Sequence, residues 1–457
     1  MPDPAPQPPP SDGSSEHVPA VSLGIWELAG PAIAANLLHS TVGIVDGVAV
    51  GTLGASALAA ATAGERIFFI LQAVLMAISA ATTALVARAW GAGDRAEAEH
   101  VARASLILCI AVATAAGALG LLIAPQLAAI FQLDDATREL TTTYIRWLML
   151  FNPSFAVFFA LGAAVRAAGD TRTPLWIGGL ANVLNVALLF PLVFGAFGFE
   201  GLGIKGAALS GGGAFTIGSA VFLWRWWSGK LLVKRGGSGA LTRARILRIA
   251  RIGTPAGLEQ LVFQVGFVLF LFIVSFYGTE PYAAYGVGVR ILSFSFVVGS
   301  GFSIAASTLV GQHLGARDPS GASRSGWRSM GISIAAMSIF GLLIVLAAEP
   351  IARFMIDDDE VVRLSVVFIY ILGSVQPLMA IEFTLAGALR GAGDTRFPLY
   401  TVLAGMLLVR STLAVTFSLL DLPVEWIFAA LIGDYIVKAS LLTWRFHSGR
   451  WQRALLR

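Results

Sequence analysis

Apolar residues run along this chain in long blocks near 22–50, 58–88, 104–130, 140–166, 174–197 and 204–228, then near 250–277, 283–312, 327–352, 361–389, 397–419 and 424–446. Most reach the roughly 20 residues a helix needs to cross a bilayer. The pattern therefore predicts an all-α integral membrane protein of twelve transmembrane helices in two sets of six. A barrel would require short alternating segments instead.

The two sets are copies. Pro31 matches Pro255, a displacement of 224 (255 − 31), and the same displacement carries Gly54 onto Gly278, Arg66-Ile67 onto Arg290-Ile291 and Asp94 onto Asp318. Arg166-Ala-Ala-Gly-Asp170-Thr-Arg-Thr-Pro174 likewise matches Arg390-Gly-Ala-Gly-Asp394-Thr-Arg-Phe-Pro398. In each motif a glycine suits the left-handed end of a helix and a proline the first turn of the next. An even number of spans per copy keeps both halves in one orientation, so the expectation is two six-helix bundles related by a pseudo-twofold along the membrane normal.

Charge orients this architecture. Charged residues make up 13% of the chain, against about 25% in soluble domains. Alternate connections are basic, as at Arg88 and Arg95, Arg166 and Arg172, Lys230 to Arg251, Arg317 to Arg328, Arg390 and Arg396, and the C-terminal arginines. The other connections are short or acidic, as at Asp134-Asp135 and Asp357 to Glu360. The positive-inside rule then predicts both termini in the cytoplasm of a multi-pass protein, expected in a bacterial inner membrane. The formal charge of +4 is accounted for by this topology, and no nucleic-acid partner is expected.

The chain divides into a Pro-rich disordered tail over 1–21 with no signal-peptide pattern, a first lobe over 22–228, a basic linker over 229–249, a second lobe over 250–446 and a basic tail over 447–457. Within the linker Gly236-Gly-Ser-Gly239 reads as flexible. Leu241 to Ile252 reads either as an interfacial helix or as a run that only satisfies the charge rule. The lone Cys109 lies in an apolar run and suits packing, and no Cys/His cluster suggests a metal.

Ionisable residues deep in spans are functional candidates by default. The first copy holds Asn36, His39, Gly43 and Asp46 at i, i+3, i+7 and i+10, with Asn182 and Asn185 one turn apart in span 5 as partners. Asp46 maps onto Phe270, so the acid belongs to one copy only. It reads as an ion-coupling site, against packing by a cross-helix hydrogen bond. His39 has the same two readings. In the second copy Asp434 and Lys438 are i,i+4 neighbours, and a structural pair of Asp434 with Lys438 or Arg410 is expected. Glu259 and Glu382 have no nearby cation in sequence. They read either as a second shared protonation site or as polar lining.

Asn36…Asp46-Gly…Gly51-Thr-Leu-Gly54, the cytoplasmic Gly-Ala loops and the paired Arg-x-Ala-Gly-Asp-Thr-Arg-x-Pro turns resemble the multidrug and toxic compound extrusion (MATE) transporters, the DinF-like bacterial branch most closely. The resemblance covers about 22–446. It implies two lobes around a V-shaped cleft, with spans 1, 2, 7 and 8 at the lobe interface, and export of small organic, often cationic or amphipathic compounds in exchange for H⁺ or Na⁺. It places the family's membrane acid on Asp46. Two positions depart from the pattern: Leu189 stands where span 5 often carries an acid, and Gly211 where span 6 is expected to carry a threonine. Both departures deplete a Na⁺ site, so H⁺ is the expected coupling ion, with Na⁺ second. No cofactor and no metal site is expected, and the protein is expected to be a monomer. A lipid or lipid-linked sugar flippase of the same superfamily is the alternative, which would call for a basic cavity. An intramembrane enzyme is a remote third reading, since no nucleophile or metal constellation accompanies the acids.

Overall fold

The structure, a computed structural model, describes residues 23–456 apart from 197 and 238; the N-terminal tail lies outside that range. Among the described residues twelve helices are long and apolar enough to cross a membrane. The first lobe comprises α1 (Ile25–Gly51), α2 (Ala55–Gly91), α3 (Arg95–Ala129), α4 (Asp135–Ala167), α5 (Arg172–Phe194) and α6 (Ile204–Trp227). The second comprises α7 (Arg243–Ser275), α8 (Thr279–Gly315), α9 (Pro319–Leu346), the short α10 (Ala348–Met355), α11 (Asp359–Gly391), a broken eleventh span and α14 (Val424–His447). That broken span is α12 (Arg396–Val402), a π-helical stretch Leu403–Arg410 and α13 (Ser411–Leu419).

The sequence displacement of 224 reappears in the helix limits. It relates both ends of α2 to α8 and of α4 to α11, and the starts of α3 to α9 and of α5 to α12 (279 − 55 = 224). Aspartates set several of these starts. Asp94 caps α3 through the Glu97 amide at 2.9 Å, and its counterpart Asp318 caps α9 through the Gly321 amide at 2.7 Å. Side-chain caps of this kind satisfy N–H groups that the first turn leaves unpaired. The paired turns end as the glycines predict, with φ of 102° at Gly169 and 84° at Gly393.

The lobes meet at the basic end, where α1 packs on α8, α2 on α7 and α2 on α8. These contacts come in symmetric pairs. Gly91 lies on the Gln312 backbone, and Gly315 lies on the backbone of Arg88, each residue being its counterpart displaced by 224. Ala77 faces Gly253 and Gly257, while its counterpart Gly301 faces Ala29 and Ile33. A Cβ at Gly91 or Gly315 would overlap main chain of the opposite lobe, so only glycine permits this approach. Hydrogen bonds cross the same seam, from Gln312 Nε2 to the Ala167 carbonyl (2.8 Å) and from Thr308 Oγ1 to the Arg166 carbonyl (3.3 Å). Further along α1 the partners belong to the first lobe alone. Ala49 and Val50 join Ala60, Leu148, Leu189 and Ala208 in one apolar cluster. The cleft thus opens between the lobes toward the acidic connections.

Two local expectations are corrected, and the basic C-terminal tail takes a definite place. The Gly-rich part of the linker is docked, not free: Leu231 and Val233 are buried, and Arg103 Nη1 donates to the Gly237 carbonyl at 2.7 Å. The stretch 241–252 is no separate interfacial helix. Thr242 caps α7 there, and Arg245 binds Glu97 of α3 at 2.6 Å. The C-terminal basic segment folds back as a 3₁₀ stretch, Arg450–Leu456, in which Trp451 is fully buried and stacks on Phe446 at 4.5 Å between centroids.

Candidate functional site

In the first lobe, α1 brings Asp46 opposite Asn185 of α5. The Asn185 Nδ2 donates to both carboxylate oxygens, at 3.1 and 2.9 Å. Among the described residues Asp46 has no ion-pair partner. The buried carbonyl oxygens of Asn182 and Asn185 accept no protein hydrogen bond, which leaves two acceptors beside the acid for water or a ligand. Leu189, one turn beyond Asn185, is fully buried among apolar neighbours, and Gly211 brings no side chain beside the Asn185 Oδ1, which a Cβ there would meet at 3.7 Å.

His39 stands beside Asn182 and meets the ring of Phe215 edge-on at 6.0 Å. Phe215 in turn stacks on Phe155 at 4.5 Å, and Phe155 meets Phe68. An aromatic wall from α2, α4 and α6 therefore adjoins the polar residues of α1 and α5. Faces of this kind suit organic cations and flat apolar groups.

Asn36 does not join this cluster. Its Nδ2 donates to Ser300 Oγ of α8 at 2.8 Å, across the lobe seam. The reason is rotational. Seven residues separate His39 from Asp46, nearly two whole turns, whereas the ten from Asn36 leave it about a quarter turn off that face.

A participant absent from the sequence reading is Glu65 of α2, which lies near Asp46 and Tyr144 of α4. The signal that finds it is the one that singled out Asp46. Displaced by 224, Glu65 falls on Val289, so this acid too belongs to one copy.

The second lobe is charged in a different way. Arg410, at the end of the π-helical stretch, binds Asp434, and Lys438 reaches Asp434 Oδ2 at 3.4 Å and Glu382 Oε1 at 2.9 Å. Arg410, Asp434 and Lys438 are almost wholly buried, and Gly405 of the π-helical turn packs against the Asp434 and Lys438 side chains. Two cations face two carboxylates, so the cluster is neutral. Glu259 pairs instead with Arg390 of α11 at 2.7 Å. The expectation that Glu259 and Glu382 lack cations is overturned, because tertiary packing brings Arg390 and Lys438 to them from other helices. The two glutamates also sit in separate pairs and form no common site.

Twelve spanning helices in two packed lobes, with a polar cluster beside an aromatic wall inside one of them, define a multi-pass membrane protein built to handle a solute. The MatE family profile matches residues 31–190 and 255–416, one segment in each copy. The chain belongs to that family, the MATE transporters, and is a transporter, not an enzyme. It is 30% identical over 444 residues to "Probable multidrug resistance protein NorM" of Thermotoga maritima, covering 96% of this chain and 95% of that one. It is 27% identical over 439 residues to "Multidrug resistance protein NorM" of Burkholderia vietnamiensis, covering 92% of each. Among solved structures it superposes on a MATE in complex with MaL6 and on a MOP superfamily transporter from Pyrococcus furiosus. Both give a TM-score of 0.87 at 19% identity, with 93% of this chain and 96% of the other covered, a likeness of fold. These matches carry the family and leave the branch within it at the resemblance stated above.

Proposed function

We propose that the protein exports small organic, often cationic or amphipathic compounds across a bacterial inner membrane, both termini cytoplasmic, by alternating access in exchange for H⁺. The observation that carries this reading is Asp46, a carboxylate inside a spanning helix held, among the described residues, by a neutral amide and no cation. Carboxylates so placed mark ion pathways. A proton on Asp46 and a cation beside it compete for one negative charge, so arrival of one favours release of the other. By linkage each weakens the equilibrium binding of the other by the same factor. The aromatic wall of Phe68, Phe155 and Phe215 supplies a face for the substrate. The NorM names of the relatives support drug-like substrates.

The donor set supports H⁺ over Na⁺. Leu189 and Gly211 bring no side-chain oxygen at the two positions where the resemblance expects one, and the free Asn182 and Asn185 carbonyls keep Na⁺ as the second reading. The flippase alternative gains no support from the deep cations Arg390, Arg410 and Lys438, each matched by a carboxylate. The protein works as a monomer in this reading, the two lobes supplying the moving parts.

The test is transport in proteoliposomes under separately imposed proton and sodium gradients. Wild-type export follows the pH gradient, and Asp46→Asn inserts but exports at background under it. Export by Asp46→Asn at the wild-type rate refutes the assignment, and wild-type export that requires Na⁺ moves the coupling ion to sodium.

A further inference from the structure

Where α9 enters at the basic end, its first turns, the last turns of α8 and the start of α1 enclose a cavity of about 550 Å³. It lies apart from Asp46 and belongs to both lobes, since α1 is a first-lobe helix and α8 and α9 are second-lobe helices. Two arginines on one face of α9, Arg324 and Arg328 at i,i+4, line it. Among the described residues neither guanidinium has an ion-pair or hydrogen-bond partner, unlike Arg245, Arg390 and Arg410, which pair with Glu97, Glu259 and Asp434. Of the remaining titratable groups on its walls, His313 is tied through Nδ1 to Asp318 at 3.1 Å. Glu27 accepts from the Gly24 amide at 3.0 Å and keeps its negative charge, so the two arginines outnumber the one wall carboxylate. Beyond the arginines the walls turn apolar, with Ile25, Trp26, Leu309 and Ile332.

We propose that this cavity seats the phosphodiester headgroup of one anionic phospholipid of the leaflet at the basic end. Depth supports that occupant. The uncharged stretch of α9 begins just after Arg328 and continues to Leu346, so the two arginines stand where the hydrocarbon gives way to headgroups. A planar guanidinium pair holds a phosphate through parallel N–H bonds. Ile332, Leu309 and the exposed Trp26 then accommodate the acyl chains, for which a soluble phosphate offers nothing. The bound lipid bridges α9 to the start of α1, whose Trp26 already meets Phe302 of α8 edge-on at 5.3 Å. It therefore favours the conformation in which the seam at the basic end is shut.

The test uses full-length protein in detergent titrated with phosphatidylglycerol or phosphatidylcholine, with retained lipid counted by native mass spectrometry. Wild type retains one phosphatidylglycerol in preference to phosphatidylcholine, and Arg324→Gln/Arg328→Gln reduces that preference by roughly tenfold. A second measurement needs no change at the arginines. Brominated phosphatidylglycerol quenches a component of wild-type tryptophan fluorescence that Trp26→Phe lacks, and brominated phosphatidylcholine does not. Equal retention of the two lipids by wild type, an unchanged preference in the double variant, or absence of the Trp26 component overturns the proposal. Displacement of the lipid by about 10 mM inorganic phosphate overturns it in favour of a soluble anion site. None of these readouts depends on the coupling ion.

Discussion

The two lobes share several helix limits and caps, yet they treat charge inside their spans in opposite ways. Arg410, Asp434 and Lys438 are buried, whereas Asp46 is half-buried and Glu65 exposed. In the first lobe Asp46 meets only the amide of Asn185, and Glu65 stands nearby. In the second lobe Arg410, Asp434, Lys438 and Glu382 neutralise one another. Displaced by 224, those four residues fall on Val186, Ser210, Ala214 and Phe158, while Asp46 and Glu65 fall on Phe270 and Val289. No member of either charged set is retained in the other copy. A neutral cluster resists change, because removing one member strands its partner in a dry interior. A carboxylate whose hydrogen-bond partner is neutral can gain or lose a proton without stranding a counter-charge. In the proposed exchange, one lobe holds its charges and the other takes up and releases a proton.

The largest effect that would sharpen this contrast is expected at Lys438. Lys438→Met leaves Glu382 without its cation and should cost about 3–5 kcal/mol, as breaking buried pairs does, read as a large fall in the thermal midpoint in detergent. A loss no larger than that of a surface substitution would break the comparison. Next in size, Gly315→Val places side-chain atoms against the Arg88 main chain. It should cost about 1–3 kcal/mol by overpacking and lengthen spin-label distances across the seam at the basic end.

Removing the α9 cap with Asp318→Ala should cost about 1 kcal/mol. Bonds from the Gly321 amide and Ser320 hydroxyl hold the Asp318 carboxyl below its ordinary value. Its contribution is therefore complete above the unfolded value near 4 and disappears as the pH falls through the lower folded value. Wild type and Asp318→Ala should accordingly converge in stability in acid, measured as unfolding midpoints against pH. The smallest change in stability is expected for Asp46→Asn, whose midpoint should be unchanged or raised, since a half-buried charge inside a span is removed and the introduced amide still offers Asn185 a carbonyl acceptor. A fall comparable to that of Lys438→Met would show Asp46 to be structural.

Most of the fold was legible because a bilayer forces long apolar runs and because the duplication repeats its turn residues at a fixed spacing. Asp46 was legible from the failure of that repetition, and Glu65 carried the same mark. What local sequence could not convey was pairing between distant helices. Arg390 and Glu259 are 131 residues apart, and Lys438 reaches Glu382 from another helix. The π-helical turn at Leu403–Arg410 was equally silent, since nothing in its apolar residues departs from an ordinary helix. The docking of the Gly-rich linker depends on Arg103, a residue of another helix.

The paired contacts of the seam have one more consequence. Gly91 against Gln312 and Gly315 against Arg88 are the two halves of one self-complementary patch, the arrangement by which identical subunits form a dimer. Two separate copies of a six-helix ancestor would recognise each other through these same residues. Joining them in one polypeptide guarantees the encounter at every concentration, and it lifts the requirement that both halves carry the same interior. Selection could then assign charge exchange to one half and rigidity to the other while leaving their shared surface intact.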